Sequence, residues 1–104
     1  MARFAMMVQS KAHPGQEDEY NRWYDDVHLP ELLQIPGVLS GTRYSALDTG
    51  MFPGPDAPYM AVYEIEADDA QSFLANFAKR SSEGSPVSPA MDMSSIKLWL
   101  YAKR

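Results

Sequence analysis

The stretch "NRWYDDVHLPELLQIPGV", Asn21 to Val38, gathers the side chains best suited to chemistry. It holds Tyr24, Asp25, Asp26 and His28, and His28 is one of only two histidines in the chain. A histidine titrates near neutral pH and can move a proton beside a carbonyl or a phenol. Tyr24 lies one helical turn before His28, so their side chains can meet. As a pair they can polarise a substrate oxygen, Tyr24 donating a hydrogen bond and His28 moving the proton. Asp25, three residues before His28, is the acid better placed to orient it, because Asp26 faces another way. Each residue also has a structural reading. His28 can sit at a helix end and bond a free carbonyl, Tyr24 can be a core residue with a wet hydroxyl, and the two acids can be solvated surface.

Other chemistries find little support. There is no cysteine, hence no disulfide framework and no thiolate. His13 and His28 are fifteen residues apart, and Asp25 with His28 has no second such pair to complete a ligand set, so no metal is expected. "DTGMFPGP" lacks the strand–loop–helix setting of a phosphate cradle, and no G-x-S-x-G is present. No cofactor is therefore expected. The net charge is −5 and the nine basic residues are scattered, apart from Lys79-Arg80 and Lys103-Arg104, which argues against nucleic acid as a partner. The opening "MARFAMMVQSKAHPG" has an apolar run too short for a signal sequence or a membrane span. The expectation is a soluble, cytoplasmic protein with no membrane partner.

Elements must position these residues, and 104 residues allow one domain, 1–104. "ARFAMMVQS" (2–10) alternates Phe4, Met6 and Val8 with Arg3, Ala5 and Met7, a strand partly covered on both faces. Acids at Glu17, Asp18 and Glu19 then open a helix whose stripe is Tyr20, Trp23, Tyr24 and Val27. Pro30 lacks an N–H and is expected to end or kink that helix, with "PELLQ" as a short turn beyond it. Residues 38–47 read as a strand and 48–58 as a Pro/Gly loop. "YMAVYEIEA" (59–67) is the clearest strand, with Tyr59, Ala61, Tyr63 and Ile65 on one face. "DDAQSFLANFAKR" reads as a second helix capped by Asp68, with Gln71 at the capping-box position. Residues 81–94 are Pro/Ser-rich and long for a compact domain, which suggests a lid, an arm or disorder. "SIKLWLYA" (95–102) is the last strand.

The order β-α-β-β-α-β predicts an α+β fold: a ferredoxin-like, four-stranded antiparallel sheet with two helices on one face. Large apolar residues on both sides of the strands, Leu98 against Trp99 for example, mean the other face needs a cover. A second copy is the economical one, so a homodimer packed sheet to sheet is expected. Tyr44, Tyr63, Trp99 and Tyr101 lie on strands, where packing competes with lining a pocket for a flat, apolar ligand. Arg43 can meet an anionic group of such a ligand.

The topology, the length and "NRWYDDVHLPELLQIPGVLSGTRY" resemble the dimeric α+β barrel superfamily. Within it the chain looks most like the EthD-like proteins, whose first helix carries a similar "W-Y…H-x-P…PG" run. The motif spans about 24 residues and the topology spans the chain. The superfamily includes cofactor-free monooxygenases on aromatic polyketides, polyketide cyclases and decarboxylases, muconolactone isomerase, haem enzymes and members with no assigned activity, so fold does not settle function. The resemblance implies a ligand cavity inside each subunit, between sheet and helices, lined in part by Trp23, Tyr24 and His28. The favoured reading is a cofactor-independent lyase, cyclase, isomerase or decarboxylase acting on a small aromatic or polyketide-like compound. In it His28, Tyr24 and Asp25 are catalytic, and Trp23, Arg43, Tyr44, Tyr63 and Trp99 bind substrate. A cofactor-free monooxygenase and a non-catalytic binding dimer are the alternatives.

Overall fold

The computed structural model describes residues 1–104. Strands β1 (Ala2–Ser10), β2 (Val38–Ser45), β3 (Tyr59–Ala67) and β4 (Lys97–Ala102) form one sheet in the order β2-β3-β1-β4. Every neighbouring pair is antiparallel. Helices α1 (Glu17–Trp23) and α2 (Leu29–Leu32) are joined without a break by a π-helical turn, Tyr24–His28, and together make the first helical rod. Helix α3 (Ala70–Glu83) is the second. The fold is ferredoxin-like, with both rods over one sheet face.

The alternation of each strand decides its faces, because successive side chains point to opposite sides. Phe4 and Met6 of β1 and Ala61, Tyr63 and Ile65 of β3 are buried beneath the helices. Tyr20, Trp23 and Tyr24 from the first rod and Phe73 from α3 complete that core. The opposite face carries Met7, Val62, Tyr44, Trp99 and Tyr101, paired across the strands as Met7 with Val62 and with Trp99. Tyr44, Trp99 and Tyr101 on it are 52%, 41% and 54% exposed, so this face stands open.

Pro30 does not end the helix. The Leu29 N–H bonds back five residues, to the Tyr24 carbonyl. Pro30 stands in the first turn of α2, where the helix needs no donor from it, and the rod runs on to Leu32. The rod stops at "IPG", where Gly37 takes φ +97° and its carbonyl accepts from the Glu66 N–H at 2.8 Å. A Cβ on Gly37 would stand 2.8 Å from the Glu66 carbonyl oxygen, so only glycine allows the strand to enter the sheet here. Gly41 has a similar role: a Cβ there would meet the Tyr63 ring at 2.9 Å and the Leu29 side chain at 3.0 Å.

Helix α3 is capped one residue later than the sequence suggests. Asp69, in extended backbone, accepts from the Ser72 N–H at 2.7 Å, while Asp68 lies outside the helix. Residues 81–94 are not a free arm. The helix takes the first three, and the chain from Ser88 onward is pinned against the turn after β1. Ala12 bridges Met91, His13 N–H donates to the Ala90 carbonyl at 2.8 Å, and Asp92 N–H donates to the Lys11 carbonyl at 3.0 Å. Strand β4 begins at Lys97, because Asp92 caps a short 3₁₀ turn over Met93–Ser95.

Phe73 is fully buried and is the main anchor of α3. Phe73→Ala should cost about 3–5 kcal/mol in urea unfolding. A loss under about 1 kcal/mol would mean that α3 does not depend on this contact.

Candidate functional site

The π turn places its side chains unlike an α-helical turn. His28 stacks on Trp23, with ring centroids 4.7 Å apart and planes at 19°. Tyr24 meets the same imidazole edge-on, at 4.8 Å and 85°. Trp23 and Tyr24 are buried, and His28 is half-buried. His28 makes no hydrogen bond within the chain, yet no buried polar side-chain atom lacks a partner. Its ring nitrogens are therefore not sealed in the core, while one face of the ring is stacked on Trp23 and Tyr24 stands at its edge.

His28 lines a cavity of about 420 Å³. It lies between the C-terminal part of the first rod and the C-terminal end of α3 with the loop after it. Leu32, Ile35 and Val87 give it apolar walls. Glu31, Gln34, Arg80, Ser81, Glu83 and Ser85 supply polar groups. The volume suits a small molecule. The Glu31 carboxylate ties the two walls together: it accepts from the Ser85 N–H at 3.3 Å and from the Ser85 hydroxyl.

Burial holds the His28 imidazole below its ordinary value of 6.5. Glu31 pulls the other way, and Arg43 adds to the lowering. His28 is thus neutral at pH 7, the form in which an imidazole accepts a proton. Tyr24 is pushed up to about 12, mainly by burial, against the effect of its hydrogen bond to Tyr63. Tyr63 is raised as well, first by burial and then by Tyr24. Their hydroxyls stand 3.2 Å apart, and both remain protonated at neutral pH.

Of the residues singled out in the sequence, only His28 lines this cavity. The space between sheet and helices, where the resemblance implies a pocket, is filled by Tyr20, Tyr24, Tyr63 and Arg43. Tyr24 faces Tyr63 and contacts the edge of His28, so its hydroxyl does not open to the cavity. Asp25 does not orient His28; its Oδ1 accepts from Arg43 Nη1 at 2.8 Å. A guanidinium is a stronger partner for a carboxylate than a neutral imidazole is. Tyr44 and Trp99 lie on the open sheet face, away from the cavity. Glu31, Arg80 and Ser85 were not singled out. Glu31 follows His28 by three residues across Pro30, a spacing that puts both on one side of a rod, but only if the proline leaves the rod intact. No cluster of three or more His, Asp or Glu side chains stands close enough to hold a metal ion.

No family model matches the chain, and no curated protein matches it. Solved structures do. A protein of Shewanella loihica PV-4, provisionally named a monooxygenase, aligns with a TM-score of 0.67 at 15% identity, over 96% of this chain and 92% of that one. An EthD family protein of Bacillus halodurans C-125 aligns over 100% of both chains, with a TM-score of 0.65 and 14% identity. The chain has the ferredoxin-like fold that these proteins share. A dimeric ferredoxin-like protein of unknown function from Jannaschia sp. CCS1 shares it, with a TM-score of 0.64 at 10% identity over 94% of this chain and 96% of that one. At such identities the EthD-like likeness extends to the fold and not to the chemistry. No helix is long and apolar enough to cross a membrane.

The lowered proton affinity of His28 has a consequence for stability. As pH falls, the unfolded chain takes up the His28 proton first, so the folded state loses stability from pH 6.5 downward through the folded midpoint. Above pH 6.5 the contribution is complete. His28→Gln should flatten this part of the curve in urea unfolding at stepped pH. Parallel curves for the two proteins would mean that His28 is not held neutral by the fold.

Proposed function

We propose that the protein is a cofactor-independent enzyme acting on a small aromatic or polyketide-like compound, with His28 as its acid/base group. One observation carries the reading: an imidazole held by Trp23 and Tyr24, with no hydrogen bond inside the chain, lines a cavity of about 420 Å³. A ring held in this way loses little freedom when it binds a substrate proton. The free nitrogen takes a proton from a carbon beside a carbonyl, or from a phenol, and returns it at another atom. This proton traffic serves a lyase, a cyclase, an isomerase or a decarboxylase alike. The imidazolium formed in between is favoured by the nearby Glu31 carboxylate. Arg80, on the opposite wall, makes no ion pair within the chain and can face the enolate or phenolate left behind. Tyr24 acts as a wall for His28 in this scheme, and Trp23 as its stacking partner.

We propose further that the working unit is a homodimer joined through the open sheet face. Tyr44, Trp99 and Tyr101 support this, because three large aromatics on one exposed face are costly to leave in water. A second catalytic reading, a cofactor-free monooxygenase, rests on the name given to the Shewanella loihica protein. There the same base would deprotonate a substrate that itself reacts with oxygen.

A thermal-shift screen of phenols, aromatic acids and lactones should find ligands that stabilise the wild type and not His28→Gln. With such a compound as substrate, the variant should lose about 10²–10⁴-fold in turnover. Equal stabilisation and equal turnover in both proteins would remove His28 from the chemistry. Oxygen consumption in step with turnover would select the monooxygenase reading. For the dimer, sedimentation should give twice the chain mass for the wild type and a lighter species for Trp99→Lys. A monomeric wild type would end the dimer proposal.

A further inference from the structure

Arg43 lies close to this site without lining it. Its Nη1 donates to Asp25 at 2.8 Å and its Nη2 donates to Asn21 Oδ1 at 2.8 Å. Its guanidinium carbon stands 4.3 Å from the Tyr24 ring centroid, with the Tyr20 and Tyr59 rings at 5.5 and 5.6 Å. The side chain is only 14% exposed. Both terminal nitrogens are engaged and a ring covers it, so little remains for an anionic ligand. Every one of these contacts serves to hold something in place.

What Arg43 holds is specific. Asn21 belongs to α1 and Asp25 to the π turn, and the two are four residues apart on one side of the rod. Arg43 itself stands on β2, opposite Ala61 of β3. The arginine therefore fastens the start of the π turn to the sheet at two points. Between those points is Tyr24, whose ring touches the guanidinium and whose edge contact fixes the imidazole of His28. A lysine could not do this, because one ammonium cannot match a planar two-pronged fork.

We propose that Arg43 is a positioning residue for His28: it locks the π turn onto β2 and thereby sets the ring orientation that aims His28 at the cavity. This rests on the reading of His28 as the proton carrier. The groups that face His28 are Trp23, Tyr24 and Glu31 from its own rod, Arg43 from β2, and Arg80 and Glu83 across the cavity. Tyr63 of β3 stands behind Tyr24. Burial is the main cause of the weakened proton affinity, and Arg43 adds a positive charge that acts in the same direction.

Proton NMR of the His28 ring tests this without any substrate. Two quantities are read in one pH titration: the midpoint, and the upfield ring-current shift that the stacked Trp23 imposes. In Arg43→Gln the midpoint should rise and the ring-current shift should shrink. Arg43→Lys keeps the charge and loses the fork, so the midpoint should hold while the ring-current shift shrinks. Asp25→Ala removes one anchor of the fork and leaves the guanidinium in place, so the ring-current shift should shrink. A midpoint that rises in Arg43→Gln and holds in Arg43→Lys is not expected from a general loosening of the fold. A folded Arg43→Gln protein with wild-type midpoint and ring-current shift would overturn the proposal. Should the arginine variants fail to fold, Asp25→Ala decides, since Asp25 is 58% exposed and its loss leaves the core intact; wild-type values there would also overturn it. If the shifts follow expectation while His28→Gln retains full turnover, the positioning role stands and the proton-carrier reading falls.

Discussion

A proline in a helical rod cannot donate the hydrogen bond that its place in an α-helical ladder requires. In this chain Pro30 sits where the rod must continue if Leu32 and Ile35 are to reach the core. The conflict is resolved upstream, by a turn in which the backbone bonds reach back five residues. That turn is the segment that carries Tyr24, Asp25 and His28. Much of the site follows from this accommodation: the edge contact of Tyr24 on His28, the stacking of His28 on Trp23, and the outward course of Asp25 to Arg43. A rod that ended at Leu29 would leave Glu31 and Leu32 elsewhere, and the cavity would lose one of its two walls.

The two faces of the sheet divide the remaining tasks. The helix-covered face is filled by aromatic rings whose hydroxyls find one another or a serine. Tyr24 bonds Tyr63, and Tyr20 bonds Ser10, deep in the core. Such pairs satisfy buried polar atoms without a charge. The other face keeps its aromatics exposed, and its strands are paired but uncapped by helix.

Period-two patterns were the most legible part of the sequence. The alternation in residues 2–10 and 59–67 gives β1 and β3 to the residue, and it assigns Tyr63 and Ile65 to the helix side. What alternation does not reveal is which face adjoins a cavity, so on sequence alone Tyr44 and Trp99 fall in with Tyr63 although they point the other way. Local rules stopped short at three places, each for a physical reason. Pro30 does open the short turn α2, but the π turn before it carries the rod on instead of ending it. Asp68 and Asp69 are both good caps, and the extended backbone at Asp69 selects the second. The segment 81–94 reads as loose, but its small residues Ser88 and Ala90 let it pack closely against the turn after β1. The partnership of Arg43 with Asn21 and Asp25 spans some twenty residues and two elements, and no spacing rule reaches that far.

The wall that faces His28 is open to heritable change. It is built from the end of α3 and the loop 84–87, whose side chains are exposed and add nothing to the core; the first buried residue beyond them is Ser88. Its hold on the opposite wall is a carboxylate contact between Glu31 and Ser85, made partly to backbone. Selection can therefore widen, narrow or recharge the cavity by altering a few loop residues, with the sheet and the aromatic packing untouched. Shape on that side is free to diverge between descendants of this gene, while the imidazole on the other side stays bound to the architecture.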